Sequence, residues 1–236
     1  MNNNIAIVTG GSSGLGFEIA TKLVEHGHNV YIVSRSATKL QSARNLIVAK
    51  SCHHGQVFDF PMNIAEEQNV KSLYEDIASK GFTVSHLFNV AGVGRFGAIE
   101  SINREMIDTV FEANLIGLIL MTSCAMRAMH SKGGVIVNVM STAALVGRSS
   151  EAIYCASKWG ARGFTEALKV SLKGSPIRVI SVYPGGMNTP FWSADCGISV
   201  DVSKFMQPAD VAARIVYAAN SIDSSICSDV TINKLG

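Results

Sequence analysis

The order of local patterns constrains this chain more than any single residue does. Short apolar or β-branched runs alternate with segments of helical spacing from one end to the other. Ile5–Val8, Val30–Val33, Gln56–Phe60, His86–Val90, Val135–Val139, Arg178–Val182 and Ile226–Ile232 read as strands. Between them Phe17–His26, Lys39–Lys50, Glu66–Lys80, Asp108–Ser131, Ser150–Leu172 and Pro208–Asn220 read as helices, three of which stop at Gly27, Gly81 and Gly133-Gly134. Alternation of this kind along a whole chain predicts an α/β fold, a mostly parallel sheet with helices on both faces. Right-handed crossovers leave the doubly wound arrangement as the leading topology. The 236 residues suit one such domain spanning 1–236. No repeat or linker interrupts it. The only long irregular stretch, about 185–207, is of the length that usually serves function.

Composition narrows the class. Apolar residues make up 47% and charged residues 16%, enough for a substantial core and against extensive disorder. The net charge of +2 is spread along the chain without a basic stripe, so no nucleic-acid partner is expected. Five cysteines (Cys52, Cys124, Cys155, Cys196, Cys227) are odd in number and form no Cys-x-x-Cys, which fits reduced thiols in the cytoplasm. The opening Met-Asn-Asn-Asn-Ile has no basic n-region, so no secretory leader is expected. Leu115–Met126, the longest apolar stretch, is too short to span a bilayer; it reads as a buried helix or a helix at a subunit contact, and no membrane partner is expected.

Two turns carry nucleotide chemistry. The first strand runs into Thr9-Gly10-Gly11-Ser12-Ser13-Gly14-Leu15-Gly16, and a helix follows. Glycines at such a place allow a tight turn and close backbone approach to a phosphate, and the helix N-terminus offers N–H donors and the positive end of its dipole. The second strand ends Val33-Ser34-Arg35-Ser36. An acidic residue placed here would bind the ribose hydroxyls of NAD. Ser34 followed by Arg35 suits a 2′-phosphate instead and predicts NADP(H) as cofactor, the alternative being an ordinary surface arginine.

Tyr154 and Lys158 stand four residues apart on a predicted helix, with Ser141 thirteen positions upstream. At that spacing two side chains share a helix face. A free phenol, with a pKa of roughly 10, is a poor acid or base at neutral pH. A nearby ammonium favours phenolate and moves the group toward the working range, and a serine hydroxyl could hold a substrate oxygen. Taken alone, the pair reads equally as a solvated helix face.

Together these elements resemble the classical short-chain dehydrogenase/reductase family over nearly the full chain. The glycine turn matches the family's T-G-x-x-x-G-x-G. Asn89-Val90-Ala91-Gly92 resembles its N-N-A-G, Asn114 sits at its helix asparagine, Ser141, Tyr154 and Lys158 fall at its Ser and Y-x-x-x-K spacings, and Pro184-Gly185-Gly186-Met187-Asn188-Thr189 matches its P-G-x-x-x-T. The resemblance implies a Rossmann-type fold and an oxidoreductase that interconverts a carbonyl and a primary or secondary alcohol. In it Tyr154 is the general acid/base, and Lys158 lowers its pKa and holds the nicotinamide ribose. Ser141 orients the substrate oxygen. Asn114 links Lys158 to a proton relay through its backbone carbonyl and a water. The implied dinucleotide contacts are Gly10, Ser12, Ser13, Gly14, Leu15, Gly16, Ser34, Arg35, Asn63, Asn89, Ala91, Gly92, Tyr154, Lys158, Pro184, Gly185, Met187 and Thr189. Asn63 stands, by its spacing to Val70, where the family keeps an adenine-binding aspartate; Asp59 is the other candidate. Val90 replaces the second asparagine of the family element, and the end Val230–Gly236 lacks the family's D-G-G. By analogy the protein is a homodimer or homotetramer built through Asp108–Ser131 and Ser150–Leu172.

The remaining residues have plainer readings. Cys52-His53-His54 lacks a second ligand cluster and reads as a polar loop, so no metal is expected. Cys155, Met121, Met126 and Met129 read as packing residues. Arg148 and Glu151, like Arg95 and Phe96, are open between substrate specificity and a solvated loop. Phe191, Trp192, Ile198, Val200 and Phe205 predict a largely apolar substrate pocket. The rival function is an NADP-binding regulatory sensor without turnover. A sugar epimerase or dehydratase of the extended type is disfavoured by chain length and by the spacing of the glycine turn.

Overall fold

The computed structural model describes residues 3–51, 55–221 and 227–235. Seven strands, β1 (Asn4–Thr9), β2 (Asn29–Ser34), β3 (Val57–Pro61), β4 (Thr83–Asn89), β5 (Gly134–Val139), β6 (Ile177–Pro184) and β7 (Asp229–Ile232), join one sheet in the order β3-β2-β1-β4-β5-β6-β7. Every neighbouring pair is parallel. The predicted Cys52-His53-His54 loop and the Ile226 start of the last strand lie outside the described residues.

Both faces of the sheet are buried, which is why its strands read as unbroken apolar runs rather than alternating ones. Successive side chains of a strand point to opposite faces. Ala6 and Val8 therefore pack with α1 (Gly14–Glu25), α2 (Ala37–Lys50) and α7 (Pro208–Asn220). Ile5 and Ile7 pack on the other side with α3 (Glu67–Ser79), α5 (Gly117–Met129) and α6 (Ala152–Ser171). Met121 and Met129 are fully buried there, and Met126 packs against them, as their spacing implied.

The long predicted helix differs from its sequence pattern. It begins earlier, as α4 (Arg104–Phe111), because Asn103 caps it by accepting the Met106 N–H at 2.9 Å. It then widens into a π turn over Glu112–Ile116 before continuing as α5. The whole run, Arg104–Met129, is long and apolar enough to cross a membrane by length and composition, longer than the apolar stretch alone suggested. In this fold its inner face lies on β4 and against α3 and α6.

The sheet order reverses direction between β1 and β4. Loops on either side of that point diverge and leave a crevice at the carboxyl ends of the strands, where open α/β sheets bind ligands.

Candidate active site

A cleft of about 670 Å³ occupies this crevice. Its floor is the glycine turn. α1 starts at Gly14, inside the turn, three residues before the helical pattern becomes visible in the sequence. Here the need for glycine is geometric. A Cβ on Gly16 would lie 2.4 Å from the Gly10 carbonyl oxygen, and one on Gly10 would meet Ala91 Cα at 3.0 Å. Thr9 ties the turn to the next wall, its Oγ1 accepting the Val90 and Ala91 N–H groups at 3.0 and 3.1 Å. The sequence reading took Thr9 only as part of the turn.

At one end of the cleft lie Ser34, Arg35 and Asn63, together with Lys39, which the motif reading missed. Arg35 and Lys39 are exposed, and among the described residues neither pairs with a carboxylate. The Ser34 hydroxyl is buried at the cleft wall without a hydrogen-bond partner. Asn63 lines the cleft between Met62 and Ile64, with its Oδ1 accepting the Ala65 N–H at 3.1 Å. Asp59, the other adenine candidate, is turned away on β3 toward Arg44, 3.5 Å from its Nε. The glycine cradle, the unpartnered Ser34 hydroxyl and the two unpaired cations all fit a phosphorylated dinucleotide.

Asn89 is a correction. Its side chain does not face the cleft. Its Nδ2 donates to Thr122 Oγ1 at 3.0 Å and to Asn138 Oδ1 at 2.9 Å, and Asn138 passes the chain on to Thr165. All four side chains are buried between β4, β5 and the helices. A polar group so deep needs partners inside the protein; this string takes up the Asn89 amide N–H groups, while its Oδ1 stays buried without a partner. Ala91 and Gly92, next along, do line the cleft.

At the other end Ser141, Tyr154 and Lys158 converge. Tyr154 and Lys158 lie on the buried face of α6, and Ser141 follows β5. The Lys158 ammonium donates to the Val139 carbonyl at 3.3 Å and sits 5.7 Å from the centre of the Tyr154 ring. Burial lowers its pKa to about 8. Burial likewise raises the Tyr154 phenol above its ordinary range, while a hydrogen bond from Ser141 pulls the other way. Burial is the largest influence on the phenol, and it acts against the depression that the spacing suggested. Pro184, Gly185, Met187 and Thr189 close the cleft from above the turn; a Cβ on Gly14 would meet Thr189 Cβ at 3.1 Å.

Asn114 lies at the centre of the π turn. A π turn leaves helix carbonyls out of the usual register and recurs at functional sites. The side chain of Asn114 accepts the Val93 N–H at 2.8 Å, donates to the Val93 carbonyl at 3.0 Å and donates to Ser157 Oγ at 3.0 Å. Ser157 in turn donates to the Tyr154 carbonyl at 2.8 Å. Gly92 fits beneath this group: a Cβ there would be 3.1 Å from Asn114 Oδ1 and 3.4 Å from the Lys158 ammonium. Ser157 was not singled out in the sequence; it reads there as one more small residue on a helix.

The 185–207 stretch is an ordered flap of three short 3₁₀ turns. Met187 and Met206 bridge across its base. Of the five residues predicted for an apolar pocket, Phe191, Trp192 and Phe205 line the cleft, while Ile198 and Val200 do not, and Arg95, Arg148, Glu151 and Asp195 line it too. Phe191 lies tilted against the Tyr154 ring with centroids 5.7 Å apart, and Trp192 donates its indole N–H to the Met187 carbonyl at 3.1 Å. Cys155 is a packing residue in the same cluster. Arg95, Arg148 and Glu151 line the cleft; Arg148 donates to Thr142 Oγ1 at 2.7 Å.

Residues 4–196 match the protein family described as short chain dehydrogenase. The chain is 30% identical to carbonyl reductase family member 4 of Danio rerio, covering 93% of this chain and 92% of the relative. It is 31% identical to the 3-oxoacyl-[acyl-carrier-protein] reductase of Rattus norvegicus over the same shares. Among solved structures, a short-chain dehydrogenase/reductase from Vibrio parahaemolyticus superposes with a TM-score of 0.85 at 34% identity, over 98% of this chain and 97% of that one.

Proposed function

The chain belongs to the short chain dehydrogenase family of oxidoreductases, and on that footing we propose that it interconverts a carbonyl and a primary or secondary alcohol with NADP(H). One observation carries the proposal: Ser141, Tyr154 and Lys158 meet at the cleft end bordered by an aromatic wall, while unpaired Arg35 and Lys39 stand at the other end. The first group can move a proton on an oxygen. The second can hold a 2′-phosphate.

When bound, the nicotinamide supplies or takes the hydride. Gly10 to Gly16, Ala91, Gly92 and the Pro184–Thr189 turn would hold the dinucleotide. Arg35, Lys39 and the Ser34 hydroxyl would hold its ribose phosphate, and Asn63 its adenine. Lys158, whose ammonium donates to the Val139 carbonyl, has further N–H donors for the ribose of the nicotinamide half.

The chain's own part is a proton transfer. In the reducing direction the Ser141 hydroxyl hydrogen-bonds the carbonyl oxygen, and the Tyr154 phenol gives that oxygen its proton as the alcohol forms. In the oxidising direction the phenolate takes the hydroxyl proton back. The Lys158 ammonium offsets the phenolate charge. Phe191 and Trp192 keep water from the reacting oxygen, where a dry site strengthens each of these interactions. The substrate is a small carbonyl or alcohol with a largely apolar body. Cys124, Cys155, Cys196 and Cys227 are free thiols, which suits a reducing, cytoplasmic setting. Assembly into dimers or tetramers through α4, α5 and α6 is part of the same reading.

A panel of aldehydes, ketones, 3-oxo esters and diketones, followed by NADPH absorbance, tests the proposal. Turnover of at least one class with NADPH, at ten times its efficiency with NADH or more, is the expected result. Tight NADPH binding with no oxidation of it across the panel would favour a dinucleotide sensor instead.

A further inference from the structure

Phe96 does not line the cleft; it is 4% exposed and lies behind the wall. Yet it touches both Tyr154 and the flap. Its ring stands edge-on to Tyr154 with centroids 5.5 Å apart and planes at 84°. It also meets Trp192 at 5.7 Å and Phe191 at 6.1 Å, the two aromatics of the flap. Aromatic pairs prefer these offset and edge-to-face arrangements, so each contact restricts the orientation of its partner.

The backbone repeats the pattern. The Phe96 N–H donates to the Cys196 carbonyl of the flap at 2.7 Å. Gly197 follows with φ +87°, and a Cβ there would lie 2.5 Å from the Phe96 carbonyl oxygen, so only glycine lets the flap come this close. On the other side the Gly97 N–H donates to the Ser150 carbonyl at 2.9 Å, in the loop that leads into the Tyr154 helix. Ser150 has φ +63°, the one non-glycine residue with positive φ among the described residues. Strain of that kind persists only where neighbours enforce it, and it gathers at working sites. Beneath the ring, a Cβ on Gly94 would be 2.6 Å from Phe96 Cζ and 2.9 Å from Phe191 Cζ.

We propose that Phe96 is a positioning residue: it couples docking of the 185–207 flap to the orientation of the Tyr154 phenol without touching substrate. The consequence for turnover rests on the functional reading above; the coupling itself rests on contacts alone. The flap can seat only when the Phe96 ring is in place, and the same ring fixes the tilt of Tyr154. The ring touches the flap at Phe191, Trp192 and Cys196, beyond the Pro184–Thr189 turn, whose base the Met187–Met206 bridge holds; its loss should therefore slow the chemical step rather than weaken cofactor binding.

The chain has two tryptophans, Trp159 and Trp192. Trp159 is exposed on α6, so a Trp159→Phe parent leaves Trp192 as a reporter of the flap. In that parent, Phe96→Leu retains apolar volume but no ring. The expected result is a red-shifted Trp192 emission, about a tenfold fall in kcat for carbonyl reduction, and an NADPH Kd and thermal midpoint close to the parent's. Unchanged emission would overturn the coupling, as would shifted emission with kcat within twofold of the parent. Parallel losses of kcat and NADPH affinity would also overturn it, since they mark a merely structural role. The emission measurement needs no turnover, so it decides the coupling even if the parent reduces no carbonyl, an outcome that would count against the functional reading alone.

Discussion

Asn114 and Val93 are joined by a reciprocal pair of hydrogen bonds, the asparagine amide accepting from the Val93 N–H at 2.8 Å and donating to its carbonyl at 3.0 Å. One side chain thus acts as a neighbouring strand would. It holds the backbone that follows Gly92 against the helix carrying the π turn, and through Ser157 against α6. Replacing Asn114 with alanine strands a buried donor and acceptor, each costing about 1–3 kcal/mol. Asn114→Ala should lose about 2–4 kcal/mol in urea unfolding, and its turnover should fall at least tenfold. A change under 0.5 kcal/mol would mean that the clamp contributes little.

Arg35 is the test of cofactor choice. With no carboxylate partner among the described residues, its charge is available to a 2′-phosphate. Arg35→Ala should weaken NADPH binding at least tenfold and leave NADH binding within about twofold, since a phosphate contact is worth roughly 1.5–3 kcal/mol. Isothermal titration with both dinucleotides reads the difference. Lys39→Ala should give the same effect at smaller size, its ammonium being a point charge rather than a fork.

The two directions of reaction should respond differently to pH. Burial holds the Tyr154 phenol protonated well above neutrality. Reduction draws on that proton, so its rate should stay nearly flat from pH 6 to 8. Oxidation needs phenolate, whose fraction grows by up to tenfold for each pH unit below its pKa. Initial rates of alcohol oxidation should therefore climb from pH 7 to about 8, above which Lys158, its pKa lowered by burial to about 8, loses the charge that offsets the phenolate. A flat oxidation profile would contradict Tyr154 as the base.

Much of this was legible in the chain. Unbroken runs such as Ile5–Val8 and Val135–Val139 fit only strands buried on both faces, and the turn after Thr9 must approach its neighbours too closely for side chains. Motif spacing brought Ser141, Tyr154 and Lys158 into one place. Other features depend on contacts that spacing does not encode. Asn89 sits in a motif beside the cleft, but the pleat turns it inward toward Asn138. The π turn at Asn114 looks in sequence like any apolar helix. The upward push of burial on the Tyr154 phenol depends on packing around α6, and the contacts of Phe96 on three loops distant in sequence.

His86 gives a stability prediction apart from the cleft. It packs edge-on to His28 at 5.3 Å and stacks on Phe88 at 6.1 Å, with Nδ1 2.9 Å from Ser85 Oγ. Burial, with smaller contributions from His28 and Arg178, lowers its pKa to about 4. An imidazole whose folded pKa lies below its unfolded value of roughly 6.5 stabilises the fold fully above 6.5, and this contribution is lost as pH falls toward 4. Between pH 7.5 and 4.5 the native protein should lose about 2 kcal/mol more than His86→Leu does in parallel denaturant titrations. Equal losses would exclude His86 as the cause.

Tyr154 is the centre of the account, and removing one oxygen atom tests it. Tyr154→Phe keeps the ring against Phe96 and Phe191 and takes away only the hydroxyl. The measurement is NADPH oxidation with the best substrate of the panel, beside NADPH binding by the same protein. The account predicts a kcat at least a thousandfold lower, in keeping with the usual 10²–10⁴-fold contribution of a general acid, with the NADPH Kd within about threefold of the parent's. A Tyr154→Phe protein that turns over within tenfold of the parent would contradict it.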